Sequence, residues 1–227
     1  MKRIAIQYSG LTNNILDCFN NNYENLILKN PEYEVDIFFH LWAPPEEEKY
    51  KISKIIEIIK PKDVFFEEPK NLKTYEFEKA NEGWFLNMIS MFYGIEKVND
   101  MRVDYQKNNN IEYDYVIRSR ADIIFLPNSI KPINQYEPEF IHTREGFLFE
   151  EYGINDYFAI GPPNLMDIYC SIYSNLEKAI CDGSSIIPEC LIGFNIKDLP
   201  IKKQKFRMWP WKYILSTLDP IKHMNLG

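Results

Sequence analysis

The sequence predicts a single α/β domain whose central, mostly parallel sheet is flanked by helices. Three observations carry that reading. Short apolar runs recur at Lys2 to Tyr8, Glu34 to Trp42 and Asp63 to Phe66. Segments with helical apolar spacing lie between them, and Gly- or Pro-containing breaks punctuate the junctions. The order strand–helix–strand–helix–strand implies parallel pairing through right-handed crossovers.

Each element follows from its residues. Lys2 to Tyr8 reads as a buried strand closed by the turn signal Ser9-Gly10. From Asn13 to Lys29 the apolar positions Ile15, Leu16, Phe19, Tyr23, Leu26 and Ile27 fall on one helical face, and Asn30-Pro31 stops it. Glu34 to Trp42 has a nearly continuous apolar centre. Pro44-Pro45 then precedes a helix with Ile52, Ile55, Ile56 and Ile59 on one side, ended by Lys60-Pro61. A long helix is expected over roughly Phe77 to Gln106, and a fourth strand over Tyr113 to Arg120. Strand-like pieces near Phe140 to Thr143 and Tyr157 to Ile160 come next. One helix over about Leu165 to Ile180 and another starting at Pro188-Glu189 complete the pattern.

Composition narrows the function classes. The chain has 227 residues, 45% hydrophobic and 26% charged, which is the make-up of an ordinary globular domain. A net charge of -7 argues against a nucleic-acid partner, since phosphate backbones are held by surplus Lys and Arg. No apolar stretch approaches the roughly 20 residues of a membrane helix. The opening run Ile4 to Ile6 is too short for a signal peptide, so a cytoplasmic location is expected. Cys18, Cys170, Cys181 and Cys190 form no C-x-x-C pair and read as buried thiols. His40, His142 and His223 are too scattered for a His-rich metal site.

Ligands of open α/β sheets gather at the carboxyl ends of the strands. There the first strand offers Gln7, Tyr8, Ser9 and Gly10, whose backbone amides could meet a base or phosphate. The fourth ends in Arg118-Ser119-Arg120-Ala121-Asp122, which alternation places on one side if the chain stays extended. Arginine forks suit phosphate oxygens, and a carboxylate suits a hard cation bridging a diphosphate. An internal Arg–Asp pair pinning the strand end is the structural alternative.

These residues resemble a GT-A-fold glycosyltransferase of a poorly characterised bacterial and viral family of surface-polysaccharide enzymes. The matching pieces are Ile4 to Gly10, Asp36 to Trp42, Asn87 to Ile95, Tyr113 to Asp122 and Asn155 to Gly161. The resemblance implies a single GT-A-like (Rossmann-like) domain, with residues 1–125 as the nucleotide-sugar-binding half. Residues 126–227 would form the acceptor-side half and C-terminal tail. It implies a nucleotide-diphosphate sugar bound by Gln7, Tyr8, Ser9, Gly10, Arg118, Arg120 and Asp122. Mn²⁺ or Mg²⁺ would be held at Asp122. The D-x-D motif of that fold reads Arg120-Ala121-Asp122 here, so an arginine stands in for one carboxylate.

By the same resemblance Asn155 and Asp156 face the acceptor. A base is needed there to take the proton from the attacking hydroxyl, and Asp156 is the first choice, with Glu189 second. The expected activity is transfer of a sugar to a hydroxyl of a glycan or lipid-linked glycan in polysaccharide biosynthesis. A nucleotidyltransferase is a weaker alternative, because Gln7 to Asn14 contains no basic residue. A non-catalytic nucleotide- or sugar-binding domain with a degenerate D-x-D is the other. The basic, aromatic stretch Lys202 to Lys212 would permit weak contact with a membrane surface, or serve as an edge strand.

Overall fold

The first strand, Lys2–Gly10 (β1), carries buried residues on both of its faces, among them Ile4, Ala5, Ile6 and Tyr8. Such a strand needs partners at both edges and cover on both sides. Tyr33–Trp42 (β2) pairs parallel with one edge, and Asp63–Glu67 (β3) pairs parallel with β2. Tyr115–Arg120 (β4) pairs parallel with the other edge. In this computed structural model residues 2–12, 15–44, 46–68, 72, 82–145 and 153–210 are described.

Beyond β4 the chain forms Ile123–Phe125 (β5), Ile141–Arg144 (β6), Phe158–Gly161 (β7), Ile201–Gln204 (β8) and Met208–Pro210 (β9). Among the described residues the main sheet has the order β3-β2-β1-β4-β7-β6-β8, and β5 pairs with β9 in a separate two-stranded sheet. The parallel expectation holds for the first four strands and for β6 with β8. Strand β7 runs antiparallel to both β4 and β6. A helical crossover returns the chain for parallel pairing, whereas the described residues between β6 and β7 include no helix. One mixed α/β domain results.

Helices Ile15–Asn22 (α1), which continues into a π-helical turn at Tyr23–Ile27, and Glu46–Ile59 (α2) lie on one face of the sheet. Ile15, Leu26, Ile52 and Ile55 pack there with Ile4, Ile6, Tyr8, Phe39 and Ile117. Gly83–Asn109 (α3), Pro163–Cys170 (α4), Ile172–Cys181 (α5) and Pro188–Asn195 (α6) cover the other face. Phe85, Phe92, Met166, Tyr169 and Leu191 pack there with Ala5, Phe38 and Val116. Asn110 ends α3 in the left-handed conformation at φ 50°, a common stop for a helix.

The first strand runs on through the expected turn residues Ser9 and Gly10, and two other boundaries differ from expectation for local reasons. The single helix expected over Leu165 to Ile180 is broken at Ser171, whose hydroxyl donates to the Ile168 carbonyl at 2.8 Å and competes with the helical ladder. Asp114 is drawn out of β4: its backbone N–H donates to the Arg3 carbonyl at 2.9 Å and its carboxylate accepts the Arg3 N–H at 2.7 Å. The expected helix start at Phe77, Asn13 and Asn14 of the first helix, and Trp211 and Lys212 of the basic stretch lie outside the described residues. No helix among the described residues is long and apolar enough to cross a membrane.

Candidate functional site

The register of β1 against β4 decides which predicted residues meet solvent. Ala5 pairs with Val116, Gln7 with Arg118, and Ser9 with Arg120. These pairs share the face covered by α3 and α4, because alternate strand residues point the same way. Ala5 and Val116 are core, and Gln7 and Arg118 are buried above them. Ser9 and Arg120 reach the rim and line a cleft of about 670 Å³.

The cleft lies at the carboxyl ends of β1, β2 and β4. Ser9, Gly10, Leu11, Trp42 and the Arg120-Ala121-Asp122 segment line it from the sheet side. The start of α3 contributes Trp84, Asn87, Met88, Ser90 and Met91. Asp156 and Tyr157, just before β7, and Pro188 and Glu189, at the start of α6, close the remaining wall. Ser9, Gly10, Arg120, Asp122, Asp156 and Glu189 are thus brought together from positions far apart in sequence.

Gln7, Tyr8, Arg118 and Asn155 do not line this cleft. Gln7 donates to Asn99 Oδ1 at 2.8 Å and accepts from the Cys170 thiol at 3.7 Å. Tyr8 points to the opposite face, stacks on Phe39 at 5.2 Å and donates its hydroxyl to Asn22 at 3.3 Å. Burial pushes that phenol far above the usual tyrosine range. Asn155 is spent locally, its side-chain oxygen accepting the Tyr157 N–H at 3.1 Å. Arg118 donates Nη1 to the Asp156 main-chain carbonyl.

The strand does not stay extended after Arg120. A turn at Ala121 and Asp122 folds Asp122 back, and Arg120 grips both of its oxygens, Nε to Oδ1 at 2.9 Å and Nη2 to Oδ2 at 2.8 Å. The Arg120 guanidinium also lies over the Tyr157 ring, 5.0 Å from its centroid. Burial lowers the Arg120 pKa, and its bond to Asp122 together with the charges of Asp122 and Asp156 raises it above the usual value. Among the described residues no group of three His, Cys, Asp or Glu side chains could hold a metal ion. Asp122, with both oxygens already matched to a cation, does not fit the expected Mn²⁺ or Mg²⁺ site in this arrangement.

Asp156 is almost wholly buried, yet it faces the cleft, and its Oδ1 has no hydrogen-bond partner among the described residues. Burial pushes its carboxyl above the usual range; Arg118 and then Arg120 pull it back, and Asp122 adds to the rise. Glu189 is raised too, by burial first and by Asp156 second. Two acids in one cleft, both held above the usual carboxylate range and one of them by the charge of the other, are suited to moving protons.

Gly10 ends β1 with φ 127°, a conformation that side chains disfavour, although a Cβ there would meet nothing within 4 Å. The requirement is therefore conformational. Gly10→Ala should destabilise the fold by about 1–3 kcal/mol, the usual strain of a sparsely populated backbone region. Chemical denaturation would show a lower midpoint with an unchanged slope.

Sequence reasoning missed Trp84, Met91 and Tyr157 as cleft residues. The resemblance covered Met91 and Tyr157 without assigning them a place. Nothing in the spacing of Trp84 sets it apart from a packed helix residue.

No family model matches the chain. A stretch of 69 residues is 32% identical to pancreatic lipase-related protein 2 of Mus musculus, 29% of this chain and 14% of that protein. The chain spans only a small part of that relative's length, and so short a match shows no family.

Proposed function

We propose that the protein is a glycosyltransferase that moves a sugar from a nucleotide-diphosphate sugar to a hydroxyl of a glycan acceptor. The observation that carries this reading is the meeting of Ser9, Gly10 and Arg120 with Asp156 and Glu189 across one cleft. The first group suits a diphosphate and the second suits proton removal. In the proposed reaction the acceptor oxygen attacks the anomeric carbon, and Asp156 takes the hydroxyl proton. The bond to the nucleotide diphosphate breaks, and Arg120 and the β1 turn stabilise the charge left on it.

The 670 Å³ cleft is of the size that holds a small-molecule ligand. Trp42 and Trp84 give it flat apolar walls suited to a base or sugar ring. A pancreatic-lipase chemistry has less behind it, because the sequence contains no G-x-S-x-G nucleophile turn. The closed Arg120–Asp122 fork favours, as a second reading, a domain that binds a nucleotide sugar without turning it over.

Thermal-shift screening against nucleotide-diphosphate sugars, in EDTA and with Mn²⁺, tests the proposal. A concentration-dependent rise in melting temperature is expected with some of them. If none binds under either condition, the proposal fails. Binding without hydrolysis or transfer selects the second reading. We expect binding to persist in EDTA; a strict need for Mn²⁺ would mean that the fork opens and Asp122 takes the cation.

Arg120→Lys should weaken nucleotide-sugar affinity by about 10–100-fold, since hydrogen bonds to charged groups are worth roughly 1.5–3 kcal/mol and an ammonium lacks the planar fork. Isothermal titration against the sugar found in the screen would measure it. Unchanged affinity would return Arg120 to a purely structural pairing with Asp122.

A further inference from the structure

Arg118 has no access to the cleft. Its guanidinium is fully buried beneath α4, beside Tyr169 and Cys170. Only Nη1 is bonded, to the Asp156 carbonyl. Nε and Nη2, like the neighbouring Tyr169 hydroxyl, have no hydrogen-bond partner among the described residues. A buried cation so poorly satisfied is costly, and an apolar side chain of similar volume often serves a core as well or better. Arg118 therefore does something that an apolar residue would not.

What it faces is Asp156. The antiparallel pairing of β4 with β7 sets Arg118 opposite Ala159, three residues beyond Asp156, whose main-chain carbonyl accepts its Nη1. Of the positive groups acting on the Asp156 carboxylate, Arg118 is the strongest and Arg120 the next. Asp122, from the turn after β4, opposes its ionisation, and Glu189, from α6, stands near enough that the Asp156 charge hinders Glu189's own ionisation. Without Arg118, Asp156 would be a buried carboxylate with two acids near it and one exposed-side arginine already forked to Asp122.

We propose that Arg118 is a positioning residue: bonded to the Asp156 main chain, it holds that residue at the cleft wall and supplies the buried counter-charge that lets its carboxylate accept a proton. It rests on reading Asp156 as the acceptor-side base, and it assigns Arg118 no contact with the nucleotide.

The test follows the Asp156 carboxyl by ¹³C NMR in protein labelled at aspartate, with Asp156→Asn used to assign the resonance. Arg118→Gln keeps a donor for the carbonyl and removes the charge, while Arg118→Lys keeps the charge. The titration midpoint of Asp156 should rise by about 1–3 pH units in the Gln variant, the usual effect of an opposite charge nearby. In the Lys variant it should return most of the way to the original value. A midpoint unmoved by Arg118→Gln would overturn the proposal, as would an equal rise in both variants. If neither variant folds, Arg118 serves the core alone and the proposal also falls. No turnover enters this readout, so failure of the glycosyl-transfer reading appears separately, as a protein that binds no nucleotide sugar while Asp156 still responds to Arg118.

Discussion

Replacing Asp156 with Asn should lower the rate of sugar transfer by about 10²–10⁴-fold, the usual scale for a lost general base. Nucleotide-sugar affinity should stay within about twofold, because the proposed diphosphate contacts come from Arg120 and the β1 turn and none from the Asp156 side chain. The amide keeps the size of the carboxylate and removes its basicity. Stability should move the other way. Burial raises the Asp156 carboxyl above its usual range, so the folded state holds that proton more tightly than the unfolded chain does. The cost of ionising it is absent below the usual carboxylate range and grows as pH rises through the elevated folded value. At neutral pH the Asn variant should therefore melt at the same temperature or higher, and the gain should vanish in acid. Separate measurements of nucleotide affinity, transfer rate and melting temperature against pH check all three parts. Weakened nucleotide binding would move Asp156 to the donor side, and unchanged transfer would pass the base to Glu189.

The largest loss of stability is expected at Phe158. It is fully buried in β7 and meets Phe125 edge-on at 5.1 Å and Phe206 edge-on at 5.3 Å. Phe125 belongs to the two-stranded sheet of β5 and β9, and Phe206 lies in the segment that leads from β8 into β9. Phe158 thus joins the main sheet to the small one. Phe158→Ala should cost about 3–5 kcal/mol, from lost burial and the cavity left among rings that cannot close over it. Urea unfolding would show the fall in midpoint, and Phe158→Leu should recover more than half of it. An alanine variant within about 1 kcal/mol of the parent would mean that the rings collapse freely.

The first half of the fold was legible in sequence because its signals are local. Val35, Ile37, Phe38 and Phe39 mark β2 by their apolar run, and Ile52, Ile55 and Ile59 mark α2 by their spacing. Such patterns depend on the period of the backbone, which is the same in every protein. The reversed strand β7 and the small β5–β9 sheet were not legible, since strand direction and partner are set by long-range pairing. Alternation rightly put Arg118 and Arg120 on one face. It could not say that Tyr169 of α4 covers the first and leaves the second at the rim.

By itself the sequence determined a βαβαβ half with strand ends near Tyr8, Trp42 and Arg120, and it drew attention to Asp122, Asp156 and Glu189. Only the tertiary structure decided which of those groups meet: Asp122 turned back onto Arg120, Asp156 set over Arg118, and Gln7 and Tyr8 taken into the two cores. The physical reason is that a polar side chain's role depends on what shields it from water and what charge stands beside it. Both are supplied by elements as far away as α4 and α6, and neither leaves a periodic trace near the residue it governs.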